Sequence, residues 1–171
     1  MSDSIRREAA RNAAGHEELQ REGIESTAAI AGHPIHPMLI PFPIAFLTGA
    51  LTTDIVHWST AGAFWARMSL WLLVAGLIMG GVAASVGLID FFTIERARAH
   101  TAGWLHLGSN AAVLVLALVN VLIRWNDPVN AVLPTGLILS TVTAVLLTVG
   151  GWYGGELAYR YKIGVIDHEK A

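Results

Sequence analysis

The sequence predicts an all-α protein, a membrane-embedded antiparallel four-helix up-down bundle with a polar N-terminal arm. Three observations carry that expectation: an apolar composition, four long apolar stretches, and short links between them. Hydrophobic residues make up 54% of the 171 positions and charged residues 14%, against about 25% charged in soluble domains. Mean hydropathy is +0.53. The apolar stretches cover residues 38–58, 64–92, 103–125 and 133–159, each near or above the roughly 20 residues a helix needs to cross about 30 Å of hydrocarbon. Backbone polar groups in lipid must pair internally, which restricts spans to helices and closed barrels. Barrel strands alternate polar and apolar positions, and AAVLVLALVNVLI at 111–123 does not. The links 59–63, 93–102 and 126–132 are short enough to force antiparallel neighbours, and Asp127-Pro128 is a turn signal.

Residues 1–31 read as the polar arm. Asp3 or Ser4 is placed to cap a helix running to Gln20. Its few apolar residues make no core, so a frayed surface helix or a disordered segment is expected. The arm lacks an apolar signal-peptide region, and the first stretch is read as a retained span. The transmembrane domain is expected over 32–165, with a short tail at 166–171. Lysine and arginine set the orientation. Arg6, Arg7, Arg11, Arg21, Arg96, Arg98, Arg160, Lys162 and Lys170 fall on one side, and only Arg67 and Arg124 on the other. Both termini are therefore expected in the cytoplasm, in a cell (inner) membrane. Trp58, Trp65 and Trp125 would belt the outer interface, and Trp104, Trp152 and Tyr159 the inner one.

Composition also excludes. There is no cysteine, which removes disulfides, thiolate zinc sites, cysteine-held clusters and covalently attached haem. A net charge of -2 without a basic stripe gives no nucleic-acid footprint. No hydrolytic or phosphoryl-transfer motif is present. The expected partners are the lipid bilayer, a redox protein and, through Gly76/Gly80 and the Gly150/Gly154 and Gly151/Gly155 pairs, a second copy of the chain. Such spacing more often serves packing within one chain.

The residues able to carry chemistry gather at one end. Gly32-His33-Pro34-Ile35-His36-Pro37 opens the first helix, where a missing N–H is tolerated. His33 and His36 share a face if that helix begins early. Antiparallel topology brings Asp90, His106, Glu156 and Arg160 to similar depth, with Asn110 one turn beyond His106. Ionisable groups at membrane depth tend to pair, face the interior and mark function. Three readings stay open. His36 and His106 hold a b-type haem, with His33 in reserve, Asn110 alongside, and Arg96, Arg98 or Arg160 meeting its propionates. Alternatively His33, His36, His106, Asp90 and Glu156 hold a divalent metal. In the third reading the carboxylates pair with Arg160 and the histidines only cap and hydrogen-bond. In the haem reading Asp90 and Glu156 orient the imidazoles. Near the outer end, Asp54 and His57 are spaced for direct contact. Asp54, Asp90 and Glu156 would serve a proton or ion relay, and a membrane anchor or accessory subunit is the remaining alternative. His16 and His168 are expected in water.

The motifs GHPIHPMLIPFPIAFL at 32–47, GLIDF at 87–91, His106 and GWYGGELAYRYKIGV at 151–165 resemble a bacterial family of four-helix membrane proteins of unknown function. The resemblance covers about 32–165. Members of that family are sometimes joined to Rieske-type or c-type cytochrome domains, which implies electron transfer with haem as cargo. This chain carries no such domain. It has Tyr161-Lys162-Ile163-Gly164 where relatives often carry a histidine-glycine, which removes one ligand.

Overall fold

A computed structural model describes Ile5 and residues 23–165. The expected arm helix, His16, His168 and the tail at 166–171 lie outside the described residues. A two-stranded hairpin comes first, β1 (Ala29–Ile30) against β2 (His33–Pro34). Its two central residues, Ala31 and Gly32, have φ of 50° and 77°, the left-handed pair that a two-residue hairpin turn requires. Then come α1 (Ile35–Leu39), α2 (Pro41–Thr60), α3 (Ala63–Thr93), α4 (Glu95–Ala99), α5 (Thr101–Arg124) and α6 (Leu137–Gly155). Short π-helical turns at Val132–Gly136 and Glu156–Arg160 flank α6.

Four segments are long and apolar enough to cross a membrane: Ile35–Thr60, Ala63–Thr93, Thr101–Arg124 and Val132–Arg160. They form the antiparallel four-helix bundle expected from sequence. Large apolar side chains such as Ile78, Val115, Leu122 and Ile138 point outward, an arrangement that suits lipid rather than water. Leu47, Ala50, Leu70, Leu73, Val113, Ala117 and Val121 pack inside. Gly76 and Gly80 serve that interior. A Cβ there would fall 2.6 Å from Leu47 and 2.7 Å from Leu114, so this GxxxG lets neighbouring spans close up within the chain. The fourth span is less regular than expected: Leu133 is extended, at φ -111° and ψ 133°, because Pro134 disfavours a helical residue before it.

The buried register of the first half recurs in the second. Pro43, Leu47, Ala50 and Asp54 are buried on α2, and Val113, Ala117, Asn120 and Arg124 are buried at the same spacing on α5. Ser69, Leu73, Gly76 and Ala83 on α3 correspond likewise, at one constant offset, to Gly136, Ser140, Thr143 and Gly150. The bundle is thus two similar helical hairpins. Equivalent side chains of the first and third spans approach one another toward each end of the bundle, Asp54 and Arg124 at one and His36 and His106 at the other.

At the end away from the termini, one such meeting is an ion pair. Arg124 grips Asp54 with both terminal nitrogens, at 2.6 and 2.7 Å. Its Nε donates to Asn120 at 2.7 Å, and further N–H groups reach Ser69 at 2.9 Å and Ser140 at 3.2 Å. Ser140 donates to Asp54 at 2.6 Å. All five residues are fully buried or within 1% of it, and they come from all four spans. No buried polar side-chain atom among the described residues lacks a partner. In the loop beyond, Asp127 accepts the Asn130 side-chain amide at 2.8 Å and its backbone N–H at 3.1 Å. These bonds hold its carboxyl below the usual carboxylate range.

Candidate functional site

The other end of the bundle carries the histidines. His36 stands on α1, and its Nδ1 lies 2.9 Å from the carbonyl of Ala83 on α3. His106 stands on α5, and its Nδ1 lies 2.8 Å from the carbonyl of Gly150 on α6. A carbonyl only accepts, so Nδ1 carries the proton in each ring. In the neutral ring this leaves the Nε2 lone pair as the reactive atom. Among the described residues no hydrogen bond engages either Nε2. One turn beyond each accepting carbonyl lies a glycine that makes room for the ring. A Cβ on Gly87 would fall 2.8 Å from His36, and one on Gly154 would fall 2.9 Å from His106. The two rings approach one another with centroids 6.2 Å apart and planes at 85°. Asn110 donates to the His106 carbonyl at 2.7 Å.

The other expected residues take different places. His33 is not on the first helix. It sits on β2, exposed, with Nδ1 2.9 Å from the Ala31 carbonyl, because the hairpin turn delays the helix start to Ile35. Asp90 faces the segment before the hairpin. Its carboxylate accepts from Ser26 at 2.7 Å, Thr27 at 2.9 Å and the Ala28 backbone N–H at 2.9 Å. Glu156 accepts from Arg160 at 3.2 Å, one helical turn away. The imidazoles are therefore oriented by backbone carbonyls, not by Asp90 and Glu156. No group of three or more metal-ligating side chains gathers among the described residues. Asp54 pairs with Arg124 rather than with His57, whose Nδ1 lies 3.1 Å from the Gly62 carbonyl. The carboxylates of the relay reading thus occupy three separate settings.

Two features escape a sequence reading. Arg124 looks interfacial at the end of an apolar run beside Trp125, yet it is wholly buried. The available signal is an opposite charge at equal depth, since Asp54 stands near the same end of the first span. The second is the strap formed by residues 24–34. Ile24 donates to the Lys162 carbonyl at 2.8 Å and accepts from Gly164 at 2.7 Å, so the strap joins the segment after the fourth span. Ile24 and Ile163 cover Phe91, Ile94 and Ala97. Asp90→Ala is expected to loosen this strap by about 1–3 kcal/mol, since it removes bonds to a partly exposed charged acceptor. Hydrogen exchange would show the loss as faster exchange at the Ala28 amide; unchanged protection would mean Asp90 does not hold the strap.

No curated protein and no solved structure matches the chain. The family model described as "Predicted membrane protein (DUF2231)" matches residues 32–167, which include every motif quoted above and both interior histidines. The chain belongs to that family of membrane proteins.

Proposed function

We propose that the protein is a small membrane electron-transfer module in which His36 and His106 ligate the iron of a b-type haem. The observation that carries this reading is the matched setting of the two rings. Each has Nδ1 held by a backbone carbonyl and, among the described residues, Nε2 unengaged, the arrangement usual for metal-ligating histidine. Their separation of 6.2 Å is one that a single ion could bridge through two nitrogen–metal bonds of about 2 Å each. Two imidazoles complete a haem iron, whose other four ligands come from the porphyrin. A bare divalent ion needs further protein ligands, and Asp90, Glu156 and His33 are engaged elsewhere. The haem reading is therefore favoured over the bare ion.

The histidine end would face the cytoplasm. Among the described residues Arg96, Arg98, Arg160 and Lys162 flank that end and Arg67 the other, and Arg124 is neutralised internally by Asp54. The orientation rule counts residues in flanking loops, so burial of Arg124 strengthens the bias.

The test is a reduced-minus-oxidised spectrum of protein purified in mild detergent after haem-replete expression. The expected result is a b-type spectrum at about one haem per chain, lost in His36→Ala and in His106→Ala. Colourless wild-type protein, or a spectrum that survives both substitutions, would sink the proposal.

A further inference from the structure

His36 and His106 hold equivalent places in the two hairpins, but their helices begin differently. α5 starts at Thr101, more than one turn ahead of His106, and runs unbroken to Arg124. α1 starts at Ile35, directly before His36, and ends at Leu39. Pro37, Pro41 and Pro43 fall where the third span has Leu107, Ala111 and Val113. Proline has no N–H, so Pro41 and Pro43 give no helical bond to the carbonyls of Pro37 and Leu39. The backbone that carries His36 is therefore weakly fixed by its own helix, and its start is set from outside that helix.

The strap supplies that support. The Ile35 N–H donates to the Ala28 carbonyl at 3.0 Å, and the Ala28 N–H donates to Asp90 at 2.9 Å. Ser26 and Thr27 reach the same carboxylate at 2.7 and 2.9 Å. A continuous chain of bonds thus runs from Asp90 through Ala28 to the first residue of α1. Ala83, Gly87 and Asp90 follow one another at the spacing of one face of α3. Ala83 accepts from the His36 ring, Gly87 makes room for it, and Asp90 holds the strap that precedes it. The second hairpin repeats the first two features at Gly150 and Gly154, and has Leu157 where Asp90 would stand. The carboxylate occurs in the half whose histidine lacks a continuous helix.

We propose that Asp90 is a positioning residue for His36. By anchoring the strap it fixes the start of α1, and so the direction in which His36 Nε2 points, without touching the ring. His106 needs no such anchor. The functional meaning rests on the haem reading, in which one ligand would be releasable and the other fixed. The geometry does not rest on it, and the test is read from imidazole nitrogens in the chain without haem.

Nitrogen-15 NMR of the full chain, labelled at histidine and purified in mild detergent without added haem, tests it. At alkaline pH, where imidazole is neutral, His36 and His106 should each show a protonated Nδ1 and a bare Nε2. Asp90→Ala should shift the two His36 nitrogens toward a common, tautomer-averaged position and leave His106 unchanged. Asp90→Asn keeps an oxygen for the Ala28 N–H and should retain most of the wild-type pattern. Ser26→Ala with Thr27→Val loosens the strap from its other side and should shift His36 in the same sense. An unmoved His36 in Asp90→Ala, with the Ala28 amide exchanging faster, would overturn the proposal, as would equal shifts at His36 and His106. If the expected shifts appear in a protein that binds no haem, the positioning role stands and the haem reading alone falls.

Discussion

Replacing Asp54 with alanine is expected to destabilise the folded bundle by about 3–5 kcal/mol, the usual result of removing one partner from a buried ion pair. Arg124 would then stand uncompensated at zero exposure, with its guanidinium held only by hydroxyls and an amide. Truncating Arg124 to methionine should cost a similar amount by stranding the carboxylate. The informative experiment is the double substitution Asp54→Leu with Arg124→Met. The surrounding polar groups keep other partners without the pair: Asn120 donates to the Gly136 carbonyl at 3.2 Å and to Ser140 at 3.0 Å, and Ser69 donates to the Ala50 carbonyl at 3.2 Å. Removing both charges should therefore recover most of the lost stability, because well-packed apolar replacements of buried pairs are often neutral or better. Reversible unfolding in detergent reads all three variants. A loss below about 1 kcal/mol for Asp54→Ala would show that the carboxylate is not the counter-charge that burial of Arg124 requires.

The second large effect is expected at two glycines. Gly87→Val and Gly154→Val each place carbon less than 3 Å from the adjacent imidazole. The ring is the movable partner, so it turns and gives up its bond to the Ala83 or Gly150 carbonyl. Loss of such an orienting bond typically lowers metal affinity by about 10–100-fold, and under the proposed haem ligation by His36 and His106 the haem stoichiometry should fall accordingly in either variant. The fold should survive, since overpacking against a side chain that can rotate typically costs about 1–3 kcal/mol. Gly81→Val and Gly108→Val are the controls, because nothing lies within 4 Å of a Cβ at either position. Full haem occupancy in both Gly87→Val and Gly154→Val would mean that the carbonyl-held ring geometry is not the ligating one.

The number, length and antiparallel alternation of the spans were legible because lipid demands long uninterrupted apolar runs, and short links leave one antiparallel solution. The common depth of His36 and His106 followed from that topology alone. Which face most of the helices turn inward was not legible. The first, second and fourth spans are apolar on nearly all sides and carry no amphipathic stripe from which rotation can be read; the third does carry one, with His106, Asn110, Asn120 and Arg124 on one face, and that stripe is the local sign that Arg124 turns inward. The fate of the carboxylates was hidden for another reason. Asp90 is claimed by Ser26, Thr27 and Ala28, which lie in a polar segment without periodicity, and a strap of that kind leaves no pattern to recognise. His33 was misplaced because Ala31 and Gly32 form a hairpin turn, and Gly32-His33-Pro34 reads equally well as a helix start.

The recurrence of one hairpin's register in the other separates the two ends of the molecule by the kind of history each permits. Histidine facing histidine is what two identical hairpins, paired about a twofold axis, would produce from a single coding unit. Aspartate facing arginine is not, because identical halves would oppose like charges. The histidine centre is thus an arrangement that two identical halves could supply, whereas the charged clamp requires two halves of different sequence.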